Sequence, residues 1–252
     1  QSGFSDAGQY TITVRVYDES LNSDEDSFLL TIEENTPKAS TQELLNFNYS
    51  INAGGTLDYY VYYPLNYDAY PNDQPVLIYL HGLGMRGGSP TKLISAENDG
   101  APSHYVENGG DLPMMVVTPH QPVWIGGVSY STWNIPLVKE LVEHIKTSLN
   151  VDQDRIYLTG FSNGGQSAWQ YAIEYKEDLA ALIPVAGRTN LTNQSLYGMN
   201  LQDPEYACQI SDLPINVWHS FNDEVINIGH ATSMVESINN CIPAPDPTPQ
   251  LH

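Results

Sequence analysis

Basic residues are scarce in this sequence. Lysine and arginine together number 9, against 30 aspartates and glutamates in 252 residues, for a net charge of −21. A surface that acidic repels polyphosphate and anionic lipid, which argues against nucleic-acid and membrane partners. Cysteine is scarcer still, with Cys208 and Cys241 the 2 in the chain. Two thiols build neither a zinc site nor a disulfide scaffold. They form one bridge in an exported protein, or stay as two buried thiols in a cytosolic one. No apolar run reaches the ~18 residues of a membrane span, and no internal repeat points to an array. Gln1 is not an initiator residue, so the sequence reads as a processed form or a piece of a longer protein. What is present, 41% hydrophobic residues over this length, suffices for one large α/β domain or a medium one with a fragment. The acidic surface and the wealth of Asn, Ser, Thr and Tyr suit an extracellular protein.

Residues 1–36 differ in pattern from the rest. Apolar and polar residues alternate over Tyr10-Thr11-Ile12-Thr13-Val14-Arg15-Val16-Tyr17 and again over Ser27-Phe28-Leu29-Leu30-Thr31-Ile32, with an acidic stretch from Asp18 to Asp26 between them. Period-two alternation on either side of a polar turn predicts a β-hairpin. It resembles the closing strands of Ig-like and cadherin-like repeats in bacterial surface proteins. The acidic stretch fits no calcium-loop spacing and reads as a solvated turn. Residues 37–43 read as a linker, and 44–252 as the main domain.

In that domain strands are expected at Thr56–Tyr63, Pro75–Leu80, Pro113–Thr118, 155–161, Ala180–Ala186 and Pro214–His219. Helices are expected within 91–107, over Trp133–Leu149, after Gly164 and over His230–Asn240. The continuous apolar runs suit buried parallel strands, and their alternation with helices predicts a mostly parallel sheet covered on both faces. The proline-rich end, Pro243–Pro249, reads as extended or disordered chain.

The chemistry centres on Gly160-Phe161-Ser162-Asn163-Gly164, which fits the G-x-S-x-G nucleophile elbow. The spacing alone would arise by chance in about one chain in ten of this length. A strand before it and a helix after it make it specific. The serine must top a strained turn, and small residues two before and two after let strand and helix pack closely enough. His81-Gly82-Leu83 follows an earlier apolar strand, and Asp223 follows a later one, so all three features sit at the carboxyl ends of strands. Backbone N–H groups of Asn163 and Leu83 are the expected oxyanion donors. Asp223, or failing it Glu224, is the expected carboxylate that orients a histidine.

The segments PVLIYLHGLGMRGG, NVDQDRIYLTGFSNGGQSAWQYAIEY, ALIPVAG and LPINVWHSFNDEVI resemble the secreted carboxylesterases related to polyhydroxybutyrate depolymerases and feruloyl esterases. The likeness covers about residues 44–240. It implies an α/β-hydrolase fold, an acyl-serine mechanism at Ser162 with Asp223 as the acid, and no cofactor or metal. It also implies a small-molecule or polysaccharide-linked ester as substrate. It leaves the oligomeric state open. In the family pattern the catalytic histidine stands in a Gly-His-x-x-Trp-like segment well after the acid. Here only His230 and His252 follow Asp223. His230 opens a helix, which leaves His252, or a last strand and histidine past residue 252. Ser220 also replaces the glycine usual after His219.

His81, Trp124 and Trp133 are the candidates for the substrate pocket, with the two tryptophans otherwise covering the sheet. His219 reads as a core histidine, and His104, His120 and His144 as structural ones. With export, a Cys208–Cys241 bridge would steady the Asp223 loop. Asn48-Tyr49-Ser50 and Asn190-Leu191-Thr192 match glycosylation acceptors. Three other readings stand beside the esterase. They are a polyester depolymerase, a prolyl-oligopeptidase-like peptidase and a non-catalytic adhesion module.

Overall fold

A computed structural model describes residues 41–65, 67, 74–95, 102–192 and 198–252, and the backbone of 8–17 and 23–32. It divides into two units, Gln1–Lys38 and Ala39–His252.

In the first unit, β1 (Gly8–Tyr17) pairs antiparallel with β2 (Ser23–Ile32). The expected hairpin is there, but β2 begins four residues before the expected Ser27. Acidic residues disfavour strands, so Asp24-Glu25-Asp26 read as turn. The register sets Glu25 opposite Arg15, and an opposite-charge cross-strand position favours pairing. The remainder of the acidic stretch, 18–22, and residues 33–40, which include most of the linker, lie outside the described residues.

The second unit runs β3 (Thr41–Tyr49), β4 (Gly55–Tyr63), β5 (Gln74–Leu80), α1 (Lys92–Ser95), α2 (Pro102–Glu107), β6 (Met115–Pro119), β7 (Trp124–Ile125), β8 (Val128–Ser129), α3 (Ile135–Ser148), β9 (Val151–Phe161), α4 (Asn163–Tyr175), β10 (Ala181–Val185), α5 (Pro204–Ala207), β11 (Asn216–Val217), α6 (Gly229–Asn239) and β12 (Gln250–Leu251). Six strands form a sheet in the order β10-β9-β5-β6-β4-β3. β5, β6, β9 and β10 are mutually parallel, while β4 is antiparallel to β6 and to β3. Bridges Leu182–Ile215 and Val185–Trp218 continue the sheet in parallel from β10 to β11, and β12 adds parallel to β11. This is the mostly parallel sheet with helical crossovers that the sequence calls for.

Four strands lie outside the expected ones: the short ribbon β7–β8, β3 and β12. β3 starts inside the expected linker and is polar on alternate positions (Gln42, Asn46, Asn48). β12 lies in the proline-rich end. There Gln250 N–H donates to the Ile215 carbonyl at 3.0 Å and His252 N–H to the Val217 carbonyl at 2.9 Å. The stretch that follows the prolines, expected to be extended or disordered, therefore adds a strand to β11.

Local chemistry fixes the two long helices. Asn134 caps α3, its Oδ1 accepting from Leu137 N–H at 2.9 Å, with Pro136 in the first turn where a missing N–H costs nothing. α4 is buried continuously from Gly164 to Ala172, and Trp169 and Tyr171 each bury large apolar area, worth about 2–3 kcal/mol apiece. Buried Asp178 joins the layers. It accepts from Lys139 Nζ at 2.6 Å, Lys146 Nζ at 2.5 Å and Tyr171 Oη at 2.6 Å, so its charge is paired despite burial. The lysines and the tyrosine hold its carboxyl below the usual range against the opposing effect of burial.

Candidate functional site

Ser162 stands between β9 and α4 with φ 54° and ψ −112°. A non-glycine residue keeps that backbone only when its surroundings over-determine it. They do so here. Ser162 N–H donates to the Val185 carbonyl at 2.9 Å, and Gln166 N–H donates to the Ser162 carbonyl at 2.9 Å. A Cβ on Gly160 would overlap the Gly164 carbonyl, and one on Gly164 would overlap the Leu80 carbonyl. Backbone packs directly on backbone at this corner, which only glycine permits.

Ser162 lines a cleft of about 350 Å³ together with Leu83, Ser131, Asn163, Arg188, Val225 and Ile226, among others. Leu83 opens a short 3₁₀ turn, Leu83–Met85, and Asn163 is the first residue of α4. The first amides of a helical turn have no intrahelical acceptor, so two N–H donors are available beside Ser162.

A polar lattice holds these donors in place. His81 is fully buried. Its Nδ1–H donates to the Gly82 carbonyl at 2.7 Å, and its Nε2 accepts from Gln121 N–H at 3.0 Å. Gln121 Nε2 donates to the Thr132 carbonyl at 2.6 Å, and Asn163 Nδ2 to the Ser131 carbonyl at 3.2 Å. The loops after β5 and β6 and the start of α4 are thereby laced together. Trp133, also fully buried, donates its indole N–H to the His81 carbonyl at 3.1 Å.

The structure therefore corrects the expected pocket. His81 and Trp133 are core residues that brace the Leu83 turn, and Trp124 is 63% exposed on the β7–β8 ribbon and does not line the Ser162 cleft. The residues that do line it, Ser131, Arg188, Val225 and Ile226, carry no sequence pattern that could have singled them out.

Burial pushes the His81 imidazole down to about 4. An unfolded histidine titrates near 6.5, so the unfolded chain takes up this proton first. The folded state is destabilised as pH falls from 6.5 towards 4, by about 3 kcal/mol from this one group. Denaturant unfolding at pH 7 and pH 4 should show that loss in the wild type and a smaller one in His81→Gln. Equal losses in the two proteins would place the titration elsewhere.

Asp223 follows β11. Its Oδ1 accepts from the N–H groups of Ile226 and Val225, both at 2.8 Å, and these amides hold its carboxyl below the usual range. Its Oδ2 lies 3.5 Å from His219 Nε2. His219 is buried as expected, and its Nε2–H donates to the Ile226 carbonyl at 2.7 Å. Glu224 is exposed. His230 Nδ1 accepts from Thr189 N–H at 3.3 Å, so it serves the loop after β10. His252 follows β12, its ring stacked on Trp218 with centroids 4.6 Å apart and its carbonyl accepting from His219 N–H at 3.1 Å. The fold thus brings His252 to the carboxyl end of β11, the end that carries Asp223. Among the described residues no hydrogen bond joins an imidazole to Ser162.

Cys208 and Cys241 form a disulfide across 33 positions. It ties the segment after α5 to the residue beyond α6, which brackets β11 and the Asp223 turn. Closing a loop of that length stabilises the folded chain by about 4 kcal/mol in the chain-entropy description. Among the described residues no cluster of three or more His, Cys, Asp or Glu is placed to hold a metal ion, and no helix is long and apolar enough to cross a membrane.

Comparison with known proteins agrees with this fold. The family described as phospholipase/carboxylesterase matches residues 69–248. A bifunctional acetylxylan esterase/xylanase from Neocallimastix patriciarum is 28% identical over 187 residues, covering 71% of this chain and 23% of that protein. The chain thus spans about a quarter of that relative's length. Among solved structures, a thermostable esterase superposes with a TM-score of 0.60 at 22% identity, covering 97% of this chain and 62% of the other. A ferulic acid esterase from Anaeromyces mucronatus, solved with ferulic acid, gives 0.57 at 15% identity, with 82% of each chain covered.

Proposed function

The chain belongs to the phospholipase/carboxylesterase family, and from that premise we propose that it is an extracellular serine carboxylesterase acting on acetyl or hydroxycinnamoyl esters of plant polysaccharides. The observation that carries the reading is the strained Ser162 turn opening on a cleft beside the first amides of α4 and of the Leu83 turn. Ser162 Oγ attacks the ester carbonyl and loses its proton to an imidazole. The tetrahedral oxyanion is received by the N–H groups of Leu83 and Asn163, each worth roughly 3 kcal/mol in the transition state. The alcohol leaves with the imidazolium proton. Water, deprotonated by the same imidazole, then hydrolyses acyl-Ser162. Asp223 orients that imidazole. In this chain the base is assigned to the segment after β12, represented by His252.

The substrate class is supported by the acetylxylan esterase/xylanase relative, and export by the disulfide. One observation favours polyester cleavage as a second reading. Phe221 and Val225, flanking Asp223, are 84% and 80% exposed, an apolar rim suited to a solid polymer. Turnover of nitrophenyl acetate by the wild type and by Ser162→Ala tests the proposal. Equal rates for the two proteins reject it.

A further inference from the structure

Among the described residues Arg188 is the one basic residue that lines the Ser162 cleft. The fold spends several contacts to put it there. Its neighbours on both sides are buried, and a Cβ on Gly187 would overlap the backbone of Gly165. Thr189 N–H donates to His230 Nδ1 at 3.3 Å and Asn190 N–H to the same nitrogen at 3.4 Å. Thr189 Oγ1 donates to the His230 carbonyl at 2.8 Å and accepts from Gln202 Nε2 at 2.7 Å. Both burial and the nearby guanidinium keep the His230 imidazole below its usual range, and a neutral ring is what accepting those amides requires. The backbone at Arg188 is therefore pinned on both sides, while its side chain is exposed.

Among the described residues the guanidinium has no partner. Lys139, Lys146, Arg155 and Lys176 each pair with a carboxylate, whereas Arg188 has no ion pair or hydrogen bond from its side chain among the described residues. On a chain with 30 acidic residues and 9 basic ones, an unpaired guanidinium in a cleft is a local reversal of the field. An anionic substrate is repelled by most of this surface and attracted at this point. Arginine presents a fixed fork of N–H donors that matches a carboxylate in two parallel hydrogen bonds.

We propose that Arg188 is a specificity-determining residue that binds a carboxylate carried by the substrate ester, so that the enzyme selects acidic esters over neutral ones of the same size. The inference rests on the esterase reading of Ser162 and names the substrate feature that reading leaves open.

Two matched pairs of probes locate the carboxylate. Nitrophenyl hydrogen glutarate against nitrophenyl 5-methylhexanoate, its neutral isostere, places it on the acyl side. Acetoxybenzoate against its methyl ester places it on the alcohol side. The readout is the ratio of kcat/KM for the charged member to that for the neutral one. A charge-assisted pair is worth roughly a 10- to 100-fold preference. Arg188→Ala is expected to collapse the ratio by that factor in one pair, and Arg188→Lys to recover part of it. Raising the salt concentration should weaken the wild-type preference. A ratio that moves by less than about two-fold in both pairs, set against the preference expected of a charge-assisted contact, overturns the proposal.

Failure of the esterase reading shows separately, as neutral-ester turnover equal in the wild type and Ser162→Ala. The carboxylate site is then read by calorimetric binding of each charged probe to Ser162→Ala with and without Arg188→Ala. Loss of binding upholds the site, and equal binding overturns it.

Discussion

Ser162→Ala should lower kcat on a simple acetate ester by about a million-fold, with KM little changed. The size follows from what the residue does. The serine splits one difficult hydrolysis into two easier steps, and nothing else at the turn can accept the acyl group. Asn163 offers a side-chain amide, already committed to the Ser131 carbonyl, and Gln166 is buried. A residual rate of about a thousand-fold over water should survive, because the Leu83 and Asn163 amides and the cleft remain. The variant should fold. Alanine must still adopt the Ser162 backbone at φ 54°, but the turn is held by the Val185 carbonyl and the flanking glycines rather than by the hydroxyl. Measured kcat with an unchanged melting temperature checks both halves. A loss below about a hundred-fold would remove Ser162 from the chemistry.

Asp223→Asn is the next largest effect, an expected fall in kcat of roughly ten-thousand-fold. The substitution keeps one oxygen to accept from Val225 and Ile226, which hold the turn through Oδ1 at 2.8 Å, so stability should change little. It replaces Oδ2, the oxygen left to face an imidazole, by a donor, which favours the wrong tautomer of the base and removes the charge that stabilises the imidazolium. The two amides hold the carboxyl below its usual range, so any acid limb that Asp223 gives the wild-type activity should fall at lower pH than an ordinary aspartate would give. A fall of less than ten-fold would move the acid's role to exposed Glu224, and Glu224→Gln would then carry the loss.

How much of this the sequence disclosed depends on the distance over which each constraint acts. The elbow was legible because its demands are local. Two glycines must admit neighbouring carbonyls, and no other residue type can. The place of Asp223, in a turn just past a strand, was legible for a similar reason, since the apolar run before it marks the strand. The bracing role of His81 was not legible. A histidine after a strand looks like a site residue until Gln121, 40 positions away, is seen to donate to it and Trp133 to cover it. β12 was hidden behind the prolines that precede it, since two residues of ladder depend on β11 rather than on their own propensity. Arg188 was an ordinary loop charge in sequence. It becomes distinctive only when the fold places it on the Ser162 cleft, with no carboxylate paired to it among the described residues, as Lys139, Lys146, Arg155 and Lys176 have.

The central claim is that Ser162 carries the acyl group. It is tested most directly by quenching the protein in acid during turnover of nitrophenyl acetate and weighing its peptides. The account predicts one acetyl group per chain, on the peptide that contains Ser162, appearing with the first burst of nitrophenol and lost as substrate runs out. Turnover with no acylated peptide, or with the acetyl group on another residue, would contradict it.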